Sequence, residues 1–246
     1  MTSFVSIKEL ISSIDGWLSS TESRFLFEAA KHTKGIIVEI GSWKGKSTVA
    51  LAAGVGKNGK VFAIDPHEGI IDAKNGKKKP STYKEFLTNI KRAGMSDAVI
   101  PIKETSEDAG KRWKESIGLL FIDGLHDYLH TRQDITLWTP YVSDGGIIAF
   151  HDAYGSTHEV FMAVKEFLPT EHIRHVGIVG SILYLEKGMS KHLWGTIYCT
   201  LRIACIFFGQ YVYHSLWIPQ TIRFFITHRV VKFLLLDRIR ISMIYP

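Results

Sequence analysis

The sequence predicts a doubly wound α/β domain, and three observations carry that expectation. Short apolar strands alternate with amphipathic helices from residue 36 to residue 167. A glycine loop follows the first strand at once, and later strands end one after another in acids. Continuous apolar strands separated by helices belong to parallel sheets covered on both faces. In such sheets, ligands sit beyond the carboxyl ends of the strands.

Ahead of the sheet, residues 6–32 carry two helices. Ile7, Leu10, Ile11 and Ile14, then Phe25, Leu26, Phe27 and Ala30, recur at helical spacing. Ser19-Ser20-Thr21 with Glu22 supplies an N-cap for the second helix, and Gly35 closes it at C′. Ile36–Ile40 is the first strand, apolar except for Glu39, and Ser47–Val55 is the helix after the glycine loop. Val61–Ile64 is the second strand, ending in Asp65-Pro66, followed by a helix over Tyr83–Ala93 and a third strand over Val99–Lys103. Leu119–Ile122 is the fourth strand, ending in Asp123-Gly124, with a helix over Thr131–Tyr141. Gly146–Phe150 is the fifth, ending in His151-Asp152, with a helix over Glu159–Phe167. His175–Glu186 offers one or two final strands around Gly180, and the three lysines of Gly76–Pro80 mark a solvated loop.

Charge separates a domain from a tail. The formal net charge is +6, yet residues 1–186 hold 22 Lys and Arg against 23 Asp and Glu. Residues 187–246 hold eight basic residues against Asp237 alone. We therefore expect one domain over 1–187, with its N-terminal helices in 1–34, and a helical tail over 188–246. The domain offers no electrostatic footprint for nucleic acid, which is excluded as a partner. Cys199 and Cys205 suggest neither a disulfide framework nor a zinc site. Lys8, Glu9 and Asp15 interrupt the N-terminal apolar run, so no signal peptide is expected and the default compartment is the cytoplasm.

The strongest motif is Val38-Glu39-Ile40-Gly41-Ser42-Trp43-Lys44-Gly45-Lys46-Ser47-Thr48. Gly41 and Gly45 allow a tight turn that a ligand can approach closely, and the following helix presents free N–H groups. Gly45-Lys46-Ser47 looks like a nucleotide-triphosphate P-loop, but that loop needs four residues between its glycines and this one has three. Glu39, two residues before Gly41, would repel a phosphate and tolerate a sulfonium and an amino group. Asp65 at the end of the second strand suits ribose hydroxyls.

The strings Gly16-Trp17-Leu18, Ile37–Thr48, Ile64-Asp65-Pro66, Phe121–Tyr128 and Gly145–Asp152 resemble class I S-adenosylmethionine-dependent methyltransferases. The branch most resembled contains macrolide-sugar and other small-molecule O-methyltransferases, and the resemblance covers roughly residues 10–186. It implies a seven-stranded sheet with its last strand antiparallel. It also implies that Gly41, with Glu39, Ser42 and Gly45 of the same loop, lies beside the methionine portion of the cofactor. Asp65 would hold the ribose, and Ser106 and Glu107 would lie near the adenine.

A second cluster follows the fourth and fifth strands. Adjacent parallel strands bring their ends about 5 Å apart, so Asp123 and Asp152 can converge. Two carboxylates and water suit Mg²⁺, which would acidify a substrate hydroxyl. His126, three residues past Asp123, is then the candidate base. The resembled branch places acids at both positions of the pair after strand five. Here His151 replaces the first, which shifts the preference toward softer divalent cations. N-capping is the structural alternative for Asp123 and Asp152. Asp127, Tyr128 and Asp134 are expected to cap and pack.

In the tail, Ile203–Ile222 is a 20-residue run without a charged residue, bracketed by Arg202 and Arg223. Gln210, His214, Ser215, Pro219 and Gln220 make it a poor spanning helix. Dense aromatics and basic flanks over 193–241 suit a membrane surface. Packing on the sheet, or on a second copy in a homo-oligomer, is the alternative. The sequence reading is thus an S-adenosylmethionine-dependent O-methyltransferase for a sugar, glycan or small natural product, lipid-linked if the tail meets a membrane. It would sit in the cytoplasm or at the inner face of a membrane. A nucleotide-triphosphate-binding module and a non-catalytic cofactor-binding scaffold are the competing readings.

Overall fold

The computed structural model describes residues 3–56, 59–69, 80–168, 172–189 and 193–214. The lysine loop of 76–80, apart from Pro80, and the tail beyond residue 214 fall outside them. The apolar runs form β1 (Ile36–Ile40), β2 (Val61–Ile64), β3 (Val99–Ile102), β4 (Ile117–Ile122), β5 (Val142–Phe150), β6 (Ile173–Val179) and β7 (Ile182–Lys187). They make one seven-stranded sheet in the order β3-β2-β1-β4-β5-β7-β6. The first five strands pair in parallel, and β7 runs antiparallel to both β5 and β6. This is the doubly wound sheet with a reversed last strand.

Period-two alternation divides the core between the two faces. Ile37, Leu119, Phe121, Ile147 and Ala149 pack under α1 (Phe4–Ser13), α2 (Ser20–His32), α3 (Lys46–Val55) and α4 (Tyr83–Arg92). Val38, Ile40, Leu120, Ile122, Ile148 and Phe150 pack under α5 (Ser106–Arg112), α6 (Tyr128–Trp138), α7 (His158–Phe167) and α8 (Leu193–His214). Both faces are apolar because both are covered, so the strands read as unbroken hydrophobic runs.

Several boundaries differ from expectation, each for a local reason. Ser19 and Glu22 form a full capping box at the start of α2. That helix ends instead at an extended Thr33, with Gly35 two residues further on at φ +97°. The α6 helix starts three residues earlier than its apolar pattern, because Asp127 caps it by accepting from His130 N–H at 2.9 Å. A 3₁₀ turn over Thr139–Tyr141 then follows. Polar Ser143 and Asp144 hid the first half of β5. The α5 helix was not anticipated: it is seven residues long and buries only Ala109 and Gly110.

The described part of the tail packs on the domain. In α8, Arg202 is buried and its Nε donates to Val176 O on β6 at 2.7 Å. Phe207 meets Phe161 of α7 edge-on at 5.9 Å. Among the described residues no helix is long and apolar enough to cross a membrane.

Candidate active site

Backbone hydrogen bonds continue the sheet one residue past four strand ends. Gly41 N–H donates to Ile64 O (2.8 Å), Asp65 to Ile102 O (3.1 Å), Asp123 to Ile40 O (2.8 Å) and His151 to Ile122 O (3.0 Å). Asp65, Gly41, Asp123 and His151 therefore stand in one row across β2, β1, β4 and β5. Among the described residues, three non-glycine residues have left-handed backbone, and they lie beside that row: Trp43 (φ 41°), His67 (φ 53°) and Asp152 (φ 53°). Such conformations cost free energy and persist where neighbours fix them, commonly at functional sites.

Glycine is obligatory at position 41. Its φ is +86°, and a Cβ there would fall 2.0 Å from Asp123 O, so the glycine loop and the β4 end meet backbone to backbone. Gly45, also left-handed, caps α3 without a side chain and leaves its first N–H groups open. Asp65 holds the loop: its Oδ2 accepts from Trp43 N–H (2.8 Å) and its Oδ1 from His67 N–H (2.6 Å). Each oxygen keeps a lone pair for a ligand. Glu39 is fully buried on the α3 side, and Thr48 Oγ1 donates to its Oε2 at 2.5 Å. Burial pushes its carboxyl up to about 8. Its Oε1 and the Oγ of buried Ser42 have no partner in the protein. Two orphaned buried polar atoms beside a loop too tight for side chains fit a polar ligand that supplies the missing bonds.

The adenine-side residues part company. Ser106 Oγ donates to Asp134, which is buried within α6 rather than capping it, and burial pushes Asp134 up to about 6. Glu107 lies exposed and pairs with Lys111 at 2.6 Å. The P-loop likeness also fails in space. Lys46 Nζ donates to Gly16 O at 2.8 Å, so it is engaged with the N-terminal segment.

The second cluster assembles in full. Donor atoms of Asp123, His126, His151 and Asp152 all lie within 4.8 Å of one another. His151 Nδ1 is 3.1 Å from Asp123 Oδ1 and 3.4 Å from Asp152 Oδ2. His126 Nε2 is 3.2 Å from Asp123 Oδ1, and its Nδ1 is 3.5 Å from Asp152 Oδ2. Neither Asp123 nor Asp152 caps a helix, since Asp127 caps α6 and Thr157 precedes α7. The buried His151 makes no well-aligned hydrogen bond through either nitrogen. Donors around a cation held at about 2.1 Å stand roughly 3 Å apart, so these spacings fit a divalent ion. Two imidazoles with two carboxylates favour borderline metals over Mg²⁺.

Carboxylates dominate the electrostatics. Burial alone would lower the His151 imidazole, but Asp123, Asp152 and Glu22 push it up to about 12. Burial opposes ionisation of Asp152, yet His151 holds it down at about 2. The hydrogen bond to Asp123 raises His126 above its ordinary value.

Sequence reasoning missed three contributors. Glu22 served there only as a capping residue. In space its Oε1 accepts from Ser181 N–H (2.7 Å) and Ser181 Oγ (3.0 Å) at the β6–β7 turn, and its Oε2 lies 3.9 Å from His151 Nε2. Trp17, 81% exposed, stacks on Trp43 at 4.9 Å beside the glycine loop. Buried His67 bonds Thr82 Oγ1 at 2.9 Å, at the residue before α4. Trp17 carried a sequence signal through the Gly16-Trp17-Leu18 string, and His67 carried one as a residue just after the second strand, whereas Glu22 signalled only its cap.

Comparison with known proteins agrees with this geometry. A family model described as a methyltransferase domain matches residues 38–153, which contain the glycine loop and the whole cluster. An uncharacterized protein of Acanthamoeba polyphaga mimivirus is 33% identical over 136 residues, covering 53% of this chain. The chain spans 58% of that relative's length. An O-methyltransferase from Bacillus cereus, solved with SAH, superposes with a TM-score of 0.54 at 18% identity, over 75% of this chain and 89% of that one. A calicheamicin methyltransferase superposes at 0.53 with 17% identity, over 76% and 81%. At these identities the structural likeness is one of fold. Residues 38–153 match the methyltransferase-domain model, and the strand order with its reversed β7 is the fold that the chain shares with these solved methyltransferases.

Proposed function

We propose that the chain transfers the methyl group of S-adenosylmethionine to a hydroxyl of a sugar or small natural product, assisted by a divalent cation. The convergence of Asp123, His126, His151 and Asp152 beside the glycine loop carries this reading. The calicheamicin methyltransferase is a TDP-rhamnose 3′-O-methyltransferase, which favours a sugar hydroxyl as the acceptor class here.

On this reading Gly41, Ser42 and Gly45 admit the cofactor, Glu39 Oε1 meets its amino group and Asp65 its ribose. Asp123, His151 and Asp152 would hold the cation. When bound, the cation would lower the pKa of the acceptor hydroxyl and fix its oxygen. His126 takes the hydroxyl proton as the new C–O bond forms. The methyl–sulfur bond breaks in the same step, and its electron pair neutralises the sulfonium to leave S-adenosylhomocysteine. The sulfonium already activates the methyl group, so the protein's main task is in-line alignment.

A methyl-transfer screen with sugar, phenol and carboxylate acceptors tests this, run with chelator and with added Mg²⁺, Mn²⁺ or Zn²⁺. Asp123→Ala should lose at least a hundredfold in rate while binding S-adenosylhomocysteine within a few-fold of the parent. Full activity of Asp123→Ala in chelator would rule out the cation. Cofactor binding with no transfer to any acceptor class would favour a scaffold.

A further inference from the structure

The outer face of α8 is apolar in a regular way. Ile197, Leu201, Ala204, Phe208 and Tyr211 are all exposed, Leu201 to 60%, Phe208 to 57% and Tyr211 to 73%. Their spacing of four, three, four and three residues keeps them within an arc of about 80° along roughly 20 Å of helix. The helix cannot roll to hide them. On its inner face, buried Arg202 is bonded to Val176 O, and buried Gln210 accepts from Gly155 N–H at 2.9 Å. Turning the helix would strand both buried groups.

Charge selects the occupant. From Lys187 to Leu236 the sequence contains no Asp or Glu, while Lys187, Lys191, Arg223, Arg229 and Lys232, besides the buried Arg202, are basic. A second copy would carry the same excess of basic residues and repel the first, whereas an anionic surface complements that excess. A row of large apolar groups on a helix within a basic stretch of sequence fits the headgroup–acyl boundary. We propose that the outer face of α8 docks on an anionic lipid bilayer, lying along it without crossing it. The docked helix is joined to the candidate site, because Gly155 lies three residues beyond Asp152. This inference rests on α8 and the charge pattern, not on the methyl-transfer reading.

Vesicle sedimentation of the full chain tests it. Vesicles of equal parts phosphatidylcholine and phosphatidylglycerol should carry the protein down at low salt, at least tenfold more strongly than phosphatidylcholine alone. High salt should weaken that binding. The Leu201→Glu/Phe208→Glu double variant should lose at least tenfold in binding, with its melting temperature and S-adenosylhomocysteine affinity unchanged. Both positions are exposed, so folding should survive, and Tyr211→Glu provides a second, milder variant. Absence of binding to anionic vesicles, or equal binding by the double variant, overturns the proposal. A dimer in light scattering that the double variant dissolves would overturn it in favour of a second copy.

Discussion

Glu22 shows how much one carboxylate can hold. It closes the capping box of α2, takes two hydrogen bonds from Ser181 and faces His151 Nε2. Burial opposes its ionisation, but these contacts hold it well below the usual carboxylate range. A carboxylate behind a ligating imidazole fixes which nitrogen faces the metal. Glu22→Gln should therefore weaken Co²⁺ binding by about tenfold or more, read from the metal's visible absorption. It should also cost about 1–2 kcal/mol of stability, because the amide cannot accept all the hydrogen bonds that the carboxylate does. A stability loss with unchanged Co²⁺ affinity would confine Glu22 to capping. The capping role was legible because Ser19 and Glu22 are three residues apart. The role toward Ser181 was not, because 159 residues separate the partners. Asp123, His126 and Asp152 were legible for the opposite reason: each lies within a few residues of a strand whose end position the apolar pattern already gave.

At the level of elements, the first four strands were readable because burial on both faces leaves no polar residue inside them except Glu39. The α5 helix was hidden by its length, although Thr105 and Asp108 formed a cap signal: Thr105 Oγ1 accepts from Asp108 N–H at 3.1 Å. That short helix is fastened to α6 through Ser106 and Asp134, and the burial of this carboxyl makes stability sensitive to pH, although the Ser106 hydrogen bond itself favours the ionised form. Burial raises the Asp134 carboxyl from 3.8 to about 6, so the folded state holds that proton more tightly than the unfolded chain. The contribution is complete below pH 3.8 and is lost as pH rises through about 6, a change on the order of 3 kcal/mol. Asp134→Asn keeps a side-chain acceptor for Ser106 and carries no charge. Chemical unfolding from pH 4 to pH 8 should show a flatter stability profile for the variant and higher stability at pH 8. Parallel profiles for both proteins would remove Asp134 from the account.

At the scale of the whole molecule, the sheet order explains why a row of residues far apart in sequence becomes one site. The chain leaves β1 in one direction through β2 and β3, then returns through β4 on the other side of β1. The crevice at that reversal is where doubly wound folds bind their ligands, and Gly41 and Asp123 touch across it. The alternation of strand and helix made this layout legible from sequence. The docking of α8 was not, since an apolar helix with basic flanks reads alike whether it lies on a sheet or on a membrane.

The 3.9 Å approach of Glu22 to His151 has a consequence for descent as well as for chemistry. If an acid stood at position 151, two like charges would face each other there, at a cost of about 4 kcal/mol for an effective dielectric near 20. Positions 22 and 151 should therefore covary: relatives with an acid at 151 should carry a neutral side chain at 22, and those with histidine should keep the carboxylate. An alignment in which position 22 stays acidic whatever fills position 151 would show that the two have evolved independently.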